Sequence, residues 1–375
     1  MGIVIKEAKT SEEIKTFISF PYTLYHKNRY YVPPLKIDEE TTLRKNKNPA
    51  FDHCISKYWL AYRGQKLVGR IAGIINHAFV TKWNKKFARF GWFDFEEDDT
   101  IARLLLQQVE QWADQEGMVA VHGPMGFTNF DPGGMLVEGY DQIATLAELY
   151  NYPYYPSYVE KAGYQKEVDW VEYKISIPKT VPRKIVQVAN IVKRRNALHL
   201  VKPKKSNELR AYTQEIFKLI NLSYSHLHGM VPLTEKQIQY YTKRYLPLMR
   251  KDFISLVIDR HGTLIAFCLT MPMLSKAFQK ANGSLFPLGF YHILKAMRIN
   301  TTSELCLIAV HPEYQGKGVN ALLIEEINKS FIRNKVTIAE SNPELEDNTR
   351  VQSMWLNYEA KCHKRRRCYI KYLEK

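Results

Sequence analysis

The chain has no stretch approaching the about 20 consecutive apolar residues that a helix needs to cross a bilayer. Its opening residues, Met1-Gly2-Ile3-Val4-Ile5-Lys6-Glu7, lack the apolar core of a secretory signal. Both absences argue against membrane insertion and export, so a cytoplasmic location is expected. Cysteine is scarce. Cys54, Cys268, Cys306, Cys362 and Cys368 are odd in number and scattered, without Cys-x-x-Cys or Cys/His metal spacing. That pattern excludes a disulfide framework, points to reduced thiols, and leads us to expect no metal site. Acidic residues are also in deficit, 38 against 54 basic ones, for a formal charge of +16. Such a surplus calls for a polyanion: a phosphorylated small molecule, a nucleic acid or an anionic membrane surface. Its densest runs are Lys193-Arg194-Arg195, Lys202-Pro203-Lys204-Lys205 and Lys364-Arg365-Arg366-Arg367.

At 375 residues the chain exceeds the usual size of one hydrophobic core, so two domains are expected. Its most informative stretch is Leu305-Cys306-Leu307-Ile308-Ala309-Val310-His311-Pro312-Glu313-Tyr314-Gln315-Gly316-Lys317-Gly318-Val319-Asn320-Ala321. Six apolar residues in a row predict a strand covered on both faces, and Pro312 ends it. Beyond the glycines, Val319, Leu323, Ile327 and Phe331 recur at helical spacing. The first-turn N–H groups of such a helix have no partner within it and, with the macrodipole, favour an anion. Gly316 and Gly318 let the backbone approach a phosphate closely.

Strand, Gln-Gly-Lys-Gly turn and helix together resemble the cofactor motif of the GNAT acyltransferase superfamily, Arg/Gln-x-x-Gly-x-Gly/Ala. Gln315 and Gly318 fall on its first and fourth positions, and Asn320 stands where Gly or Ala is usual. The resemblance implies that Gln315, Gly316, Lys317, Gly318, Val319 and Asn320 hold the pyrophosphate of acyl-CoA, acetyl or longer. It also implies that the backbone of Ile308, Ala309 and Val310 pairs with the pantetheine arm and polarises the thioester carbonyl.

The order of elements repeats along the chain. In the second half a strand at 198–201 precedes helices at 206–227 and 234–249, a hairpin over 253–258 and 264–269, the motif strand and helix, a strand at 336–339, a helix at 349–360 and a last strand. The first half offers a strand at 3–5, a helix from Ser11, a hairpin over 58–75, a helix carrying Ile101, Leu105, Val109 and Trp112 on one face, a strand at 119–121 and a closing segment near Tyr158 to Tyr164. Both follow the GNAT order. The fold class implied is α/β (α+β): two tandem GNAT-like domains, each a mixed, mostly antiparallel sheet flanked by helices. Residues 1–178 are expected to form a degenerate domain without a CoA motif, 179–197 a linker helix, and 198–375 the acyltransferase domain. Where the first half should have its cradle it has Phe95-Glu96-Glu97-Asp98-Asp99-Thr100, whose carboxylates repel a pyrophosphate.

An amine attacks a thioester only as the free base, yet its pKa near ~10 keeps it protonated at neutral pH, so a general base is needed. Glu304 opens the motif strand, where the resemblance places a catalytic glutamate, and Glu340 at the end of the fifth strand is a second carboxylate facing the same cleft. The resemblance supplies an acid for the leaving thiolate from a tyrosine. Tyr358 fits one register and Trp355 takes the slot in another. His226 and His228 follow the long helix, near where the resemblance implies that the acceptor enters.

Gly123-Pro124-Met125-Gly126, the run from Asp131 to Tyr140, the run from His228 to Thr234, and Glu346-Asp347-Asn348 are similar to the YghO-like branch of GNAT proteins. Part of that branch resembles bacterial ceramide synthases, which implies a long-chain acyl-CoA and a sphingoid amine. The aromatic run Tyr150 to Pro156 lines an acyl channel or packs an interface. The activity expected is therefore an acyl-CoA-dependent N-acyltransferase acting on a small-molecule or lipid amine by direct attack, with peripheral membrane contact left open and no nucleic acid as partner. The alternatives are a non-catalytic nucleic-acid-binding GNAT scaffold and an aminoacyl-tRNA-dependent transferase. Oligomeric state is not readable from the sequence.

Overall fold

The computed structural model describes residues 2–195, 197–203 and 206–374, so Lys204 and Lys205 of the second basic run lie outside the described residues. The first half comprises β1 (Ile3–Glu7), α1 (Ser11–Leu24), α2 (Lys36–Leu43), β2 (Cys54–Arg63), β3 (Lys66–Asn76), α3 (His77–Trp83), β4 (Phe87–Phe95), α4 (Asp99–Gln115), β5 (Ala120–Gly123), β6 (Met135–Glu138), α5 (Tyr154–Lys161) and β7 (Gln165–Ser176). Helix α6 (Arg183–Arg195) leads to β8 (His199–Val201), α7 (Ser206–Ser223), α8 (Glu235–Tyr245), β9 (Ile254–Ile258), β10 (Leu264–Pro272), α9 (Ser275–Ala281), α10 (Gly289–Arg298), β11 (Thr302–Val310), α11 (Asn320–Arg333), β12 (Ile338–Ser341), β13 (Glu344–Leu345), α12 (Thr349–Gln352) and β14 (Ala360–Tyr372). Local chemistry fixes several boundaries. Thr10 and Glu13 form a capping box at α1, Thr234 and Gln237 another at α8, and the Asp98 side chain caps α4.

All the strands join one sheet in the order β1-β2-β3-β4-β5-β14-β7-β12-β11-β10-β9-β8, with β6 on β14 and β13 on β7. Strands β4 and β5 run parallel from Phe87↔Ala120 to Arg89↔His122, and β11 and β12 from Thr302↔Ile338 through Glu304↔Glu340. The two halves thus repeat one register, and Arg89 and His122 hold the places of Glu304 and Glu340. The strand beside β5 is β14, the last of the chain, whereas the strand beside β12 is β7, the last of the first half. The halves exchange their closing strands, and β7 then pairs antiparallel with β14 at the centre.

Apolar side chains cover both faces of the sheet. Residues of α4 and α5 pack the first half with Phe90, Phe95 and Tyr369, and α1 packs its opposite face. In the second half α6 and α11 cover one face, α7 and α8 the other. A further cluster ties Tyr25, Tyr31 and Tyr150 to Met271, Phe278 and Ile293 across the halves. The aromatic run packs here and in the first core: Tyr150 lies against Tyr25, and the Tyr155 ring sits 4.2 Å from Phe95.

Several expectations need correction. The helix expected at 349–360 is only α12 and a 3-10 turn over Ser353–Asn357, because Ala360 onward is drawn into β14 by partners on both edges. The run Lys364 to Arg367 therefore lies inside a strand and alternates between its faces. Leu305 to Ile308 are half-buried rather than covered on both faces, since β11 parts from β12 after Leu305. Sequence periodicity does not anticipate α2, β4, α9 or α10.

Candidate active site

The strand-turn-helix motif forms as the sequence indicates. β11 ends at Val310, Pro312 to Tyr314 make a 3-10 turn, and α11 begins at Asn320. Gly316 and Gly318 both stand in the left-handed region, with φ of +73° and +77°. Around Gly316 a side chain would meet open space, whereas at Gly318 it would press on Val188 and Val192 of α6 at 3.2 and 3.1 Å. The linker helix thus braces the turn. Gln315 does not point outward. Its amide donates to the Val310 carbonyl at 3.0 Å and folds the turn back onto the strand end. Lys317 is exposed, its ammonium 5.5 Å from the Tyr314 ring. An open glycine, an exposed lysine and the N-terminus of a 14-residue helix are features that suit an anion such as a diphosphate.

Upstream, Ile308 and Val310 turn their carbonyls towards the opening between β11 and β12. Both are taken in this structure: Tyr224 donates its hydroxyl to the Ile308 carbonyl at 2.7 Å, and Ser223 donates to Val310 at 3.1 Å. The end of α7 therefore closes the slot implied for pantetheine. Ala309 is buried in the core beneath α7 and α8. Register slips between Leu305 and Leu307 against β10, a bulge that leaves Cys306 unpaired at the same opening.

Glu304 and Glu340 are direct partners in the parallel ladder, both almost wholly buried. Around them the exchanged strands and a first-half loop bring the rest of a charge cluster. Lys364 on β14 lies 2.7 Å from both Glu148 and Glu172 and 3.5 Å from Glu340. Arg366 donates to Glu172 at 2.7 Å and to Glu148 at 3.0 Å. Gly139 makes this approach feasible, because a Cβ there would collide with the His363 carbonyl.

Four carboxylates face two fixed cations, so protons are shared out unevenly. Burial raises Glu304 to about 8, with Glu148 and Glu340 adding to the shift, and the Leu146 amide donates to its carboxyl. Glu340 is also raised, chiefly by burial. Against its own burial, Glu148 is held below the ordinary carboxylate range by Lys364 and Arg366, while burial and Glu148 push Glu172 up. His363 is driven down to about 3 by burial and Lys364, so it is neutral. Neither Glu148 nor Lys364 stands out in the sequence as part of this site. Only the strand exchange reveals them.

Tyr358 and Trp355 are not brought to this cluster. Tyr358 accepts a hydrogen bond from Asn328 at 2.7 Å, two turns along α11 from the cradle, and burial raises it to about 12. Trp355 is buried and donates to Glu344 at 3.0 Å. His226 is exposed. His228 instead joins His122, Glu167 and Cys368, whose donor atoms all lie within 4.8 Å of one another. These four come from β5, β7, β14 and the loop after α7, so no sequence spacing announces them.

A parallel strand pair repeated in the same register in both halves, with a strand-turn-helix cradle beside the second pair, is the arrangement of a tandem GNAT fold. No family model matches the chain. A tandem GNAT protein of the clavulanic acid pathway superposes on it with a TM-score of 0.59 at 11% identity, covering 100% of this chain and 99% of that one. A probable N-acyltransferase of Enterococcus faecalis V583 does so with 0.51 at 10% identity, covering 100% and 73%. Identities this low establish a shared fold. In sequence the chain is 27% identical to protein YghO of Escherichia coli over 98% of its length and 95% of that protein. It is 25% identical to a bacterial ceramide synthase of Caulobacter vibrioides over 82% of its length and 80% of that enzyme.

Proposed function

We propose that this protein is an N-acyltransferase that takes its acyl group from acyl-CoA and passes it to a primary amine. The observation that carries the reading is Glu304: a buried carboxyl raised to about 8, at the mouth of the splay that leads to the glycine cradle. Acyl-CoA supplies the activated acyl group. Gly316, Lys317, Gly318 and the first turn of α11 hold its diphosphate, with Gln315 keeping the turn shut against β11. The ionised fraction of Glu304, about a tenth at pH 7, removes the ammonium proton of the acceptor, and its raised pKa narrows the gap to an amine near ~10 more than an ordinary carboxylate could. Burial sets that pKa, with the charges of Glu148 and Glu340 raising it further and Lys364 opposing them. Tyr358, tied to Asn328, is given no step.

We further propose a lipid amine as acceptor and the cytoplasmic side of a membrane as the place of reaction. Between β10 and β11 the chain inserts α9 and α10, whose inner residues Ile293, Ala296 and Met297 share a cluster with Cys306 and Leu146 beside Glu304. Phe286, Leu288, Phe290, Tyr291, Leu294 and Ile299 of the same insertion are exposed. Residues 273–301 also carry Lys276, Lys280, Lys295 and Arg298 and no acidic residue. A helix with one face at the reacting centre and the other apolar and basic suits a substrate delivered from lipid.

The basic run on β14 gives no support to a nucleic-acid site. Lys364 and Arg366 are buried on Glu148 and Glu172, and Arg365 and Arg367 both bind Asp169.

The test is thiol release from acetyl- through palmitoyl-CoA in the presence of simple and long-chain amines. Glu304→Gln should slow turnover by about 10²–10⁴-fold while leaving the thermal shift produced by CoA in place. Undiminished turnover removes Glu304 from the chemistry. No CoA-induced shift in the parent protein removes the acyltransferase reading altogether.

A further inference from the structure

We propose that His122, Glu167, His228 and Cys368 form a zinc site, placed in the first half where the second half has its charge cluster. His122 occupies the ladder position of Glu340, and the exchanged strands β7 and β14 supply Glu167 and Cys368, as they supply Glu172 and Lys364 to the other cluster. The fourth group arrives reciprocally. Glu148 crosses from a first-half loop, and His228 crosses from a second-half loop.

Around the Glu167 Oε2 atom, His122 Nδ1 stands at 3.0 Å, Cys368 Sγ at 3.3 Å and His228 Nε2 at 3.6 Å. Tetrahedral zinc with bonds of roughly 2.0–2.3 Å spaces its ligand atoms about 3.3–3.7 Å apart. His228 Nε2 is enclosed and has no hydrogen-bond partner, at a separation from Glu167 too long for a hydrogen bond and right for a shared ion. Water is excluded on most sides. His122 and Cys368 are fully buried, Phe79 and Phe87 flank the His122 ring, and Trp170 lies edge-on to His228.

The charges agree with a divalent ion. Among the described residues, the fixed cation facing the cluster is Arg89, whose guanidinium is held by the carbonyls of Gly126, Phe127 and Gly229. One carboxylate and one thiolate neutralise a divalent charge, and two imidazoles complete the set. Binding makes two Zn–N bonds, one Zn–O and one Zn–S. It displaces the Cys368 thiol proton, which leaves to solvent. A thiolate with imidazoles selects zinc over the harder divalent ions. Because all four ligands come from protein, the site is structural. It pins the loop just beyond α7 to the first half, and with it the Ser223 and Tyr224 hydroxyls that occupy β11.

The experiment uses the full chain, stripped with a chelator and reloaded with Zn2+. One zinc per chain is expected by elemental analysis, together with a rise in the unfolding midpoint. Cys368→Ser and His228→Gln should each weaken zinc binding by more than the roughly 10–100-fold that follows loss of a merely supporting partner. Reloading with Co2+ should give a thiolate-to-metal charge-transfer band in the parent that is missing in Cys368→Ser. His228 lies on a half-exposed loop, so His228→Gln keeps the test sound if the buried cysteine change perturbs folding. Zinc well below one per chain, or one zinc held equally by both variants, overturns the assignment. Neither result bears on acyl transfer.

Discussion

Glu304 keeps its proton because burial removes the water that would stabilise a carboxylate, and because Glu148 and Glu340 stand beside it. This has a cost in stability that depends on pH. An unfolded chain releases the glutamate proton near about 4.3, whereas the folded chain holds it to about 8. Between those values the folded state binds the extra proton, so stability contributed at low pH is lost as pH rises through about 8. Glu304→Gln has no proton to lose. Its unfolding midpoint should match that of the parent near pH 4, pull ahead steadily, and stop gaining above about pH 8. Calorimetry across that range checks it, and a gap that does not change with pH removes the assigned shift. The sequence placed Glu304 at the start of the motif strand, and the resemblance made it a candidate; its burial beside Glu340 came only with the structure. Glu148, Glu172 and Lys364 were not legible in the sequence, since a loop and two exchanged strands carry them in, and spacing along a chain records neither.

At the scale of elements, the motif was the most legible feature. Consecutive apolar residues, a proline stop, two glycines and a helical repeat each have a single structural meaning, and β11 and α11 form where they place them. The failures lie where tertiary pairing decides. Residues after Asn357 lack a strong helical stripe and become a strand because strands on both sides pair with them. The contact between α7 and β11 was equally invisible, yet it has a direct consequence. The Tyr224 hydroxyl occupies the Ile308 carbonyl, one of the groups through which pantetheine would bind. Tyr224→Phe leaves that carbonyl without its donor in the free protein, so a ligand amide regains a hydrogen bond worth about 0.5–1.5 kcal/mol. We expect the KM for acyl-CoA to fall by about 2–10-fold, with a small loss of stability in the free protein. A higher KM would mean that Tyr224 belongs to the binding surface instead of blocking it.

For the whole molecule, charge and exposed apolar surface coincide. The basic run on β14 is neutralised internally, so the surplus of +16 must act through cations at the surface. The α9–α10 insertion carries four of them, all exposed, together with six exposed apolar side chains and no carboxylate. No helix among the described residues is long and apolar enough to cross a membrane, so the membrane contact proposed above would be made at the interface. Basic residues near an anionic surface contribute about 1 kcal/mol each, and a large apolar side chain that leaves water about 1.5–3 kcal/mol. The chain should therefore co-sediment with vesicles of mixed phosphatidylcholine and phosphatidylglycerol, more weakly as salt rises, and poorly with phosphatidylcholine alone. Phe290→Glu with Leu294→Glu should reduce that binding by at least about 10-fold, because two apolar contacts are lost and two repulsive charges gained. Both side chains are exposed, so fold and turnover of a soluble amine should be kept. If the double variant sediments with vesicles as the parent does, the membrane is not what covers this face. A parent dimer that the double variant breaks would show a second copy of the chain there instead.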